Sequence, residues 1–222
     1  MTNLLLQADD VLRQRLDARH SGDRQTLRAL VVSTIAFGAA YGLAMGSFGG
    51  VWGERAWLAV FSAAKVPFLL LATFAVSLPS FLVLNVLFGL RDDLGRVVRA
   101  LAAAQAGVGI VLASFAPVTI FWNVSFADYQ TAILYNAAIF AVASFAGQWL
   151  LRGYYRPLVA RRPRHRYLMR AWLGVYAFVG IQMAWVLRPF VGDPLADVRF
   201  FREDAWGNAY VAVWRVLADV LR

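Results

Sequence analysis

The residues best placed to do chemistry are charged or aromatic and stand at the edges of apolar runs. Lys65 is the single lysine in a chain whose 21 other basic residues are arginine. It stands just before Pro67 at the start of one apolar run, and Arg188 closes another. A lysine is a compact, strongly hydrated point charge, suited to lining a vestibule. Two cations brought together in a partly desolvated site repel each other unless an acid or an anion lies between them. Asp193 is a candidate acid, because Gly192 lets the chain fold back toward Arg188. Trp185 lies three residues before Arg188 on one helical face and offers its ring for stacking. These residues predict an outer vestibule for an anion. The alternative is that Lys65 and Arg188 snorkel separately to headgroups.

Catalytic chemistry has little to work with. The chain has no cysteine, and its two histidines, His20 and His165, stand in charged segments. It contains no GxSxG, HExxH, P-loop or dinucleotide-binding glycine pattern. No catalytic residue, metal ligand or cofactor is expected, and the protein reads as non-enzymatic. The polar groups within the apolar runs are chiefly amides: Asn85, Gln105, Asn136 and Gln182. No carboxylate stands among them, as a proton pump or cation carrier would need. Amides either tie helices together or line a path for a neutral or anionic solute. A continuous polar cavity reaching Gln182 would favour a path, and a dry bundle would favour packing.

Two further patterns concern helix shape. Gly38, Gly42 and Gly46 recur every four residues, with Gly50 next, and small residues on one helix face let another backbone approach closely. The partner is either in the same chain or in a second copy. Pro79 removes the amide that would bond to Ala75, and Ser77 and Ser80 stand beside it. That is a candidate helix kink, either a hinge or a static bend.

These residues need elements to position them, and composition says which. The chain has 222 residues, 60% hydrophobic and 16% charged, with mean hydropathy +0.58. That is more apolar than a soluble domain of this size can hide. Five apolar runs are legible: Leu30–Phe48, Val66–Leu90, Val98–Trp122, Thr131–Leu151 and Ala171–Phe190. Each is long enough to cross a bilayer with some tilt. The expected fold is an all-α membrane bundle of five transmembrane helices with amphipathic surface helices at both ends. Residues 1–27 form the N-terminal segment, 28–190 the transmembrane domain and 191–222 the tail. Leu5, Leu12 and Leu16 mark the first surface helix, and the polar residues around Leu4–Leu6 exclude a signal peptide. Asn208 caps the last one, whose apolar face carries Tyr210, Val213, Trp214 and Leu217. Aromatic belts are expected at Phe48, Trp52, Trp57, Phe121 and Trp122 on one side, and at Trp149, Tyr154, Tyr155, Tyr167 and Trp172 on the other.

Charge sets the orientation. The segments on the N-terminal side of the membrane hold fifteen arginines against six acids, while the opposite side holds seven positive and seven negative residues. The whole net charge of +9 therefore lies on one face. The positive-inside rule makes that face cytoplasmic, leaving the C-terminus outside. Contact with anionic lipid headgroups accounts for the basic balance, and a nucleic-acid partner is not needed. The expected partners are the lipid bilayer and either another copy or another membrane protein.

The segment Lys65–Asn85, KVPFLLLATFAVSLPSFLVLN, and the later QMAWVLRPFVGDP, FFR and GNAY resemble a family of small bacterial inner-membrane proteins. The resemblance covers roughly residues 55–222 and leaves the N-terminal segment outside. It implies the inner membrane as location and transfers no catalytic residue. The layout is also similar, in topology alone, to membrane proteins of the Yip type. The expected function is a helix-packing subunit of a membrane assembly or homo-oligomer. The alternative is a channel or transporter for a small anion or neutral solute, with Lys65 and Arg188 at its mouth.

Overall fold

The structure, a computed structural model, describes residues 2–15, 23–126, 128–192, 200–201, 207 and 209–211. In chain order the helices are α1 (Thr2–Leu12), α2 (Asp23–Gly46), α3 (Ala56–Leu87), α4 (Leu94–Ser114), α5 (Ala116–Ser125), α6 (Tyr129–Arg161) and α7 (His165–Leu187). Short 3-10 turns at Gly53–Arg55 and Arg91–Asp93 precede α3 and α4. The described residues contain no strand. Among the described residues, five segments are long and apolar enough to cross a membrane: α2, α3, α4 with α5, α6 and α7. The protein is an all-α, membrane-embedded bundle.

The third apolar run is broken rather than continuous. α4 stops at Ser114 and α5 begins at Ala116. Pro117 explains the break, since proline disfavours helix in the residue before it and fits the first turn of a new one. Pro79 behaves differently: α3 runs unbroken through both Pro67 and Pro79. Pro79 and Ser80 lie exposed on the outside of α3, and Ser77 is buried. α6 runs ten residues past the apolar run, to Arg161, and carries Arg152 and Arg156 with it.

The interior is built on close backbone approach. α2 packs on α3 and α4, and α3 also supports α7. A methyl group built at Gly42 would lie 2.2 Å from the Ser62 carbonyl oxygen. At Gly46 it would meet the Ala59 Cα at 2.6 Å, and at Gly38 the Pro67 Cα at 3.2 Å. The glycine stripe is therefore occupied within the chain. Gly50 does not belong to it, lying beyond the helix end with φ +102°. α4 presents alanines from Ala100 to Ala106, nearly all buried, to its neighbours.

That alanine face also receives α1. Ala8 and Val11 bury against Ala102, Ala103 and Ala106, and the Tyr154 hydroxyl donates to the Val11 carbonyl at 2.7 Å. Leu5 and Leu12 do not join this contact and are exposed. Small residues win this interface because only they let α1 lie close to α4. The aromatic belts need a similar correction. Trp52, Trp57, Phe121, Trp149 and Tyr167 are exposed, but Phe48, Tyr155 and Trp172 are core residues. Trp172 packs edge-on against Phe74 and Phe81.

α6 and α7 contrast with the tightly packed α2–α3 pair. α6 leans on α4, and α7 leans on α3. A turn of Arg162–Arg164 joins them, yet they diverge along their length and touch little.

Candidate functional site

The structure brings Lys65 and the end of α7 together, though not as an open mouth. Lys65 lies on α3 and is 1% exposed. Its Nζ donates to the Pro189 carbonyl at 2.7 Å and lies 4.7 Å from the centre of the Phe200 ring. Ser62, one turn earlier, donates to the Phe190 carbonyl. Arg188 turns instead onto Trp185, with its guanidinium carbon 3.3 Å from the ring centre. The lysine thus clamps the chain that leaves α7. Asp193, the expected acid, lies outside the described residues, as do Leu16, Asn208 and the helix expected after Tyr210.

The amides mostly join helices. The Tyr41 hydroxyl donates to Asn136 Oδ1 at 2.8 Å, and Asn136 Nδ2 donates to the Ala132 carbonyl, tying α2 to α6. Gln105 Nε2 donates to the Leu70 carbonyl at 3.0 Å, and the Tyr176 hydroxyl donates to Gln105 Oε1 at 2.7 Å. One side chain on α4 therefore holds both α3 and α7. Gln182 Nε2 donates to the Gly207 carbonyl, and its Oε1 accepts from the Ala209 amide, so it anchors the tail. Asn85 is fully buried and donates to Phe81 on its own helix, leaving Oδ1 without a partner among the described residues. Thr73 and Ser77, on the same face of α3, also have hydroxyls with no partner among the described residues.

Two clusters were not legible in the sequence. Asn123 on α5 donates to the Ala44 carbonyl at 2.8 Å and caps the end of α2. At the other end, His165 is fully buried with Nε2 3.2 Å from Asp93 Oδ2, while Arg96 and Arg162 reach the same carboxylate at 3.3 and 3.9 Å. Its charged surroundings hid the fact that His165 starts α7 and points inward. Among the described residues no group of acids and histidines could hold a metal.

A large opening lies between α6 and α7. It is a cavity of about 830 Å³, walled also by α3 and α4. Ala137, Ala141 and Ser144 line it from α6, and Ala177, Gly180 and Ala184 from α7. Gln105 and Tyr176 lie at its floor, and Arg188 at one end. Its other end reaches Gln148 and Arg152. Those two residues also line a second cavity of about 290 Å³ with Arg166, Arg170, Met169 and Leu173. An apolar channel along the bundle thus continues into a strongly basic recess.

Fold and site together define an integral membrane helical bundle with a lateral cleft. No protein-family model, curated protein or solved structure matches the chain.

Proposed function

We propose that the protein is a non-enzymatic membrane subunit that works by binding another membrane component along the α6–α7 cleft. The observation that carries this reading is the cleft itself: about 830 Å³, mostly apolar, with small side chains on both walls. A site of that size suits a ligand or part of a larger partner. Small residues let an occupant approach the backbone, where packing rather than water expulsion drives association in lipid. The glycine stripe of α2 is already filled by α3, so the cleft is the better assembly surface.

The channel reading has less support. Lys65 bonds to a backbone carbonyl and Gln182 bonds to the tail, and neither lines the cleft. The charge distribution supports placement in a bacterial inner membrane with the N-terminus and the α6–α7 turn cytoplasmic.

Gentle extraction followed by native mass measurement tests the proposal. Wild-type protein is expected to carry mass beyond the 24.6 kDa chain. Ala141→Trp, which fills the cleft, is expected to lose that mass while eluting and melting like wild type. The same bound species on both proteins would overturn the reading.

A further inference from the structure

We propose that the cleft takes an acyl chain of one anionic glycerophospholipid whose phosphate is held by Arg152, Arg166 and Arg170. This rests on the cleft being the binding surface and names its occupant. Arg166 and Arg170 are one turn apart on α7, so their side chains share a face, and Arg152 stands opposite on α6. All three line one recess of about 290 Å³ together with Gln148, and no carboxylate lines it. None of the three forms an ion pair within the described residues. The three guanidinium groups are exposed, so solvent screens their mutual repulsion in part, and an anion seated among them relieves the rest. Their planar forks match the oxygens of a phosphate.

The recess alone would suit any phosphate. Its connection to the cleft selects a lipid. Gln148, Arg152 and Leu173 border both spaces, so a group bound at the arginines continues directly into an apolar groove. From Arg152 to Ile133, the cleft follows α6 for about 28 Å at the helical rise, close to the thickness of a bilayer core. Phosphate at the arginines and hydrocarbon along the nearer half of the cleft is the layout of a phospholipid in its own leaflet. The three positive charges disfavour the ammonium of a zwitterionic headgroup, so the preference is for a net anionic lipid.

The test uses the full chain in nanodiscs of phosphatidylcholine containing a minor fraction of phosphatidylglycerol, followed by mild detergent extraction and native mass spectrometry. One phosphatidylglycerol per chain is expected to remain bound, favoured over phosphatidylcholine by at least about tenfold. The triple variant Arg152→Gln, Arg166→Gln, Arg170→Gln should lose that preference. The corresponding triple lysine variant, which keeps the charge, should retain most of it and guards against misfolding as the cause. Ala141→Trp should lose the lipid with all three arginines intact. Equal retention of both lipids by wild type, or unchanged phosphatidylglycerol retention in the glutamine variant, would overturn the proposal. Protection from thermal unfolding by inorganic phosphate as strong as that by phosphatidylglycerol would assign the recess to a free anion and overturn it too. If Ala141→Trp loses a co-purifying protein while wild type shows no lipid preference, the cleft remains a binding surface and only the lipid assignment fails.

Discussion

The α2–α3 pair and the α6–α7 pair are both sequence neighbours joined by short connections, yet they solve the packing problem in opposite ways. Along α2, glycines at four-residue spacing bring α3 so close that a single added methyl would overlap its backbone. Along α6 and α7, small residues also recur, but the two helices face a cavity instead of each other. A small residue therefore does not by itself make a helix contact. It makes room, and the neighbouring elements decide what fills it. Phe74 and Phe81 hold α7 to α3 through Trp172, and Val108 on α4 meets α6 at Gly147. Both helices are thereby committed elsewhere, and the space between them stays open.

The largest expected effect breaks the closed pair. Gly42→Leu puts a branched side chain where even a Cβ lies 2.2 Å from a carbonyl oxygen of α3. Overpacking of this kind should cost about 3 kcal/mol or more, read as thermal unfolding in detergent. Gly38→Ala, whose Cβ would sit 3.2 Å from Pro67, should cost much less. Equal melting temperatures for wild type and Gly42→Leu would show that the stripe is not a contact.

A smaller effect is expected at the shared root of the open pair. His165 is buried where α6 turns into α7 and meets Asp93 across from α4. His165→Ala removes that partner and should cost about 1–3 kcal/mol. If the turn is held by the arginines alone, the variant will melt like wild type. Next in size is the Tyr41–Asn136 bond, which fixes α6 to α2. Asn136→Leu and Tyr41→Phe should each cost about 1 kcal/mol, and the double variant less than their sum.

The start of α6 gives a weaker, pH-dependent effect. Asp128 caps the helix, and the Thr131 hydroxyl, followed by the Thr131 amide, holds its carboxylate below the usual range. The lowered pKa means this contribution is present above the unfolded value of about 3.9 and is lost as pH falls through the folded value. Asp128→Asn, which keeps a cap acceptor, should lose this acid dependence while remaining more stable than Asp128→Ala at neutral pH. Parallel acid titrations of wild type and Asp128→Asn would remove the cap from the argument.

The fold was largely legible because apolar length and glycine spacing act locally along one helix. The break at Pro117 was hidden by the continuous hydropathy of Val98–Trp122, although the proline itself was visible. The burial of His165 and of Trp172 depends on which face α7 turns to α3 and α4, and α7 is apolar on several sides. The cleft was not legible at all. Ala137, Ala141, Ala177 and Ala184 look like any packing alanines until the divergence of α6 and α7 is known. The arginines of the recess were legible only as part of the basic balance of one membrane face, because their convergence requires α6 to extend past the apolar run.

The smallest expected effect is the sharpest probe of the comparison. Ala141→Leu installs the same side chain as Gly42→Leu, again in the middle of a membrane-crossing helix. At Ala141 the added atoms enter the cleft, where the residue is exposed, rather than a neighbouring backbone. Helix propensity barely separates alanine from leucine, so no local term opposes the change. Melting should stay within about 0.5 kcal/mol of wild type, as for substitutions away from packed contacts. A loss comparable to that of Gly42→Leu would mean that α6 and α7 close on each other in detergent. The two pairs would then be alike, and the cleft would be a state of the bundle rather than a fixed feature of its packing.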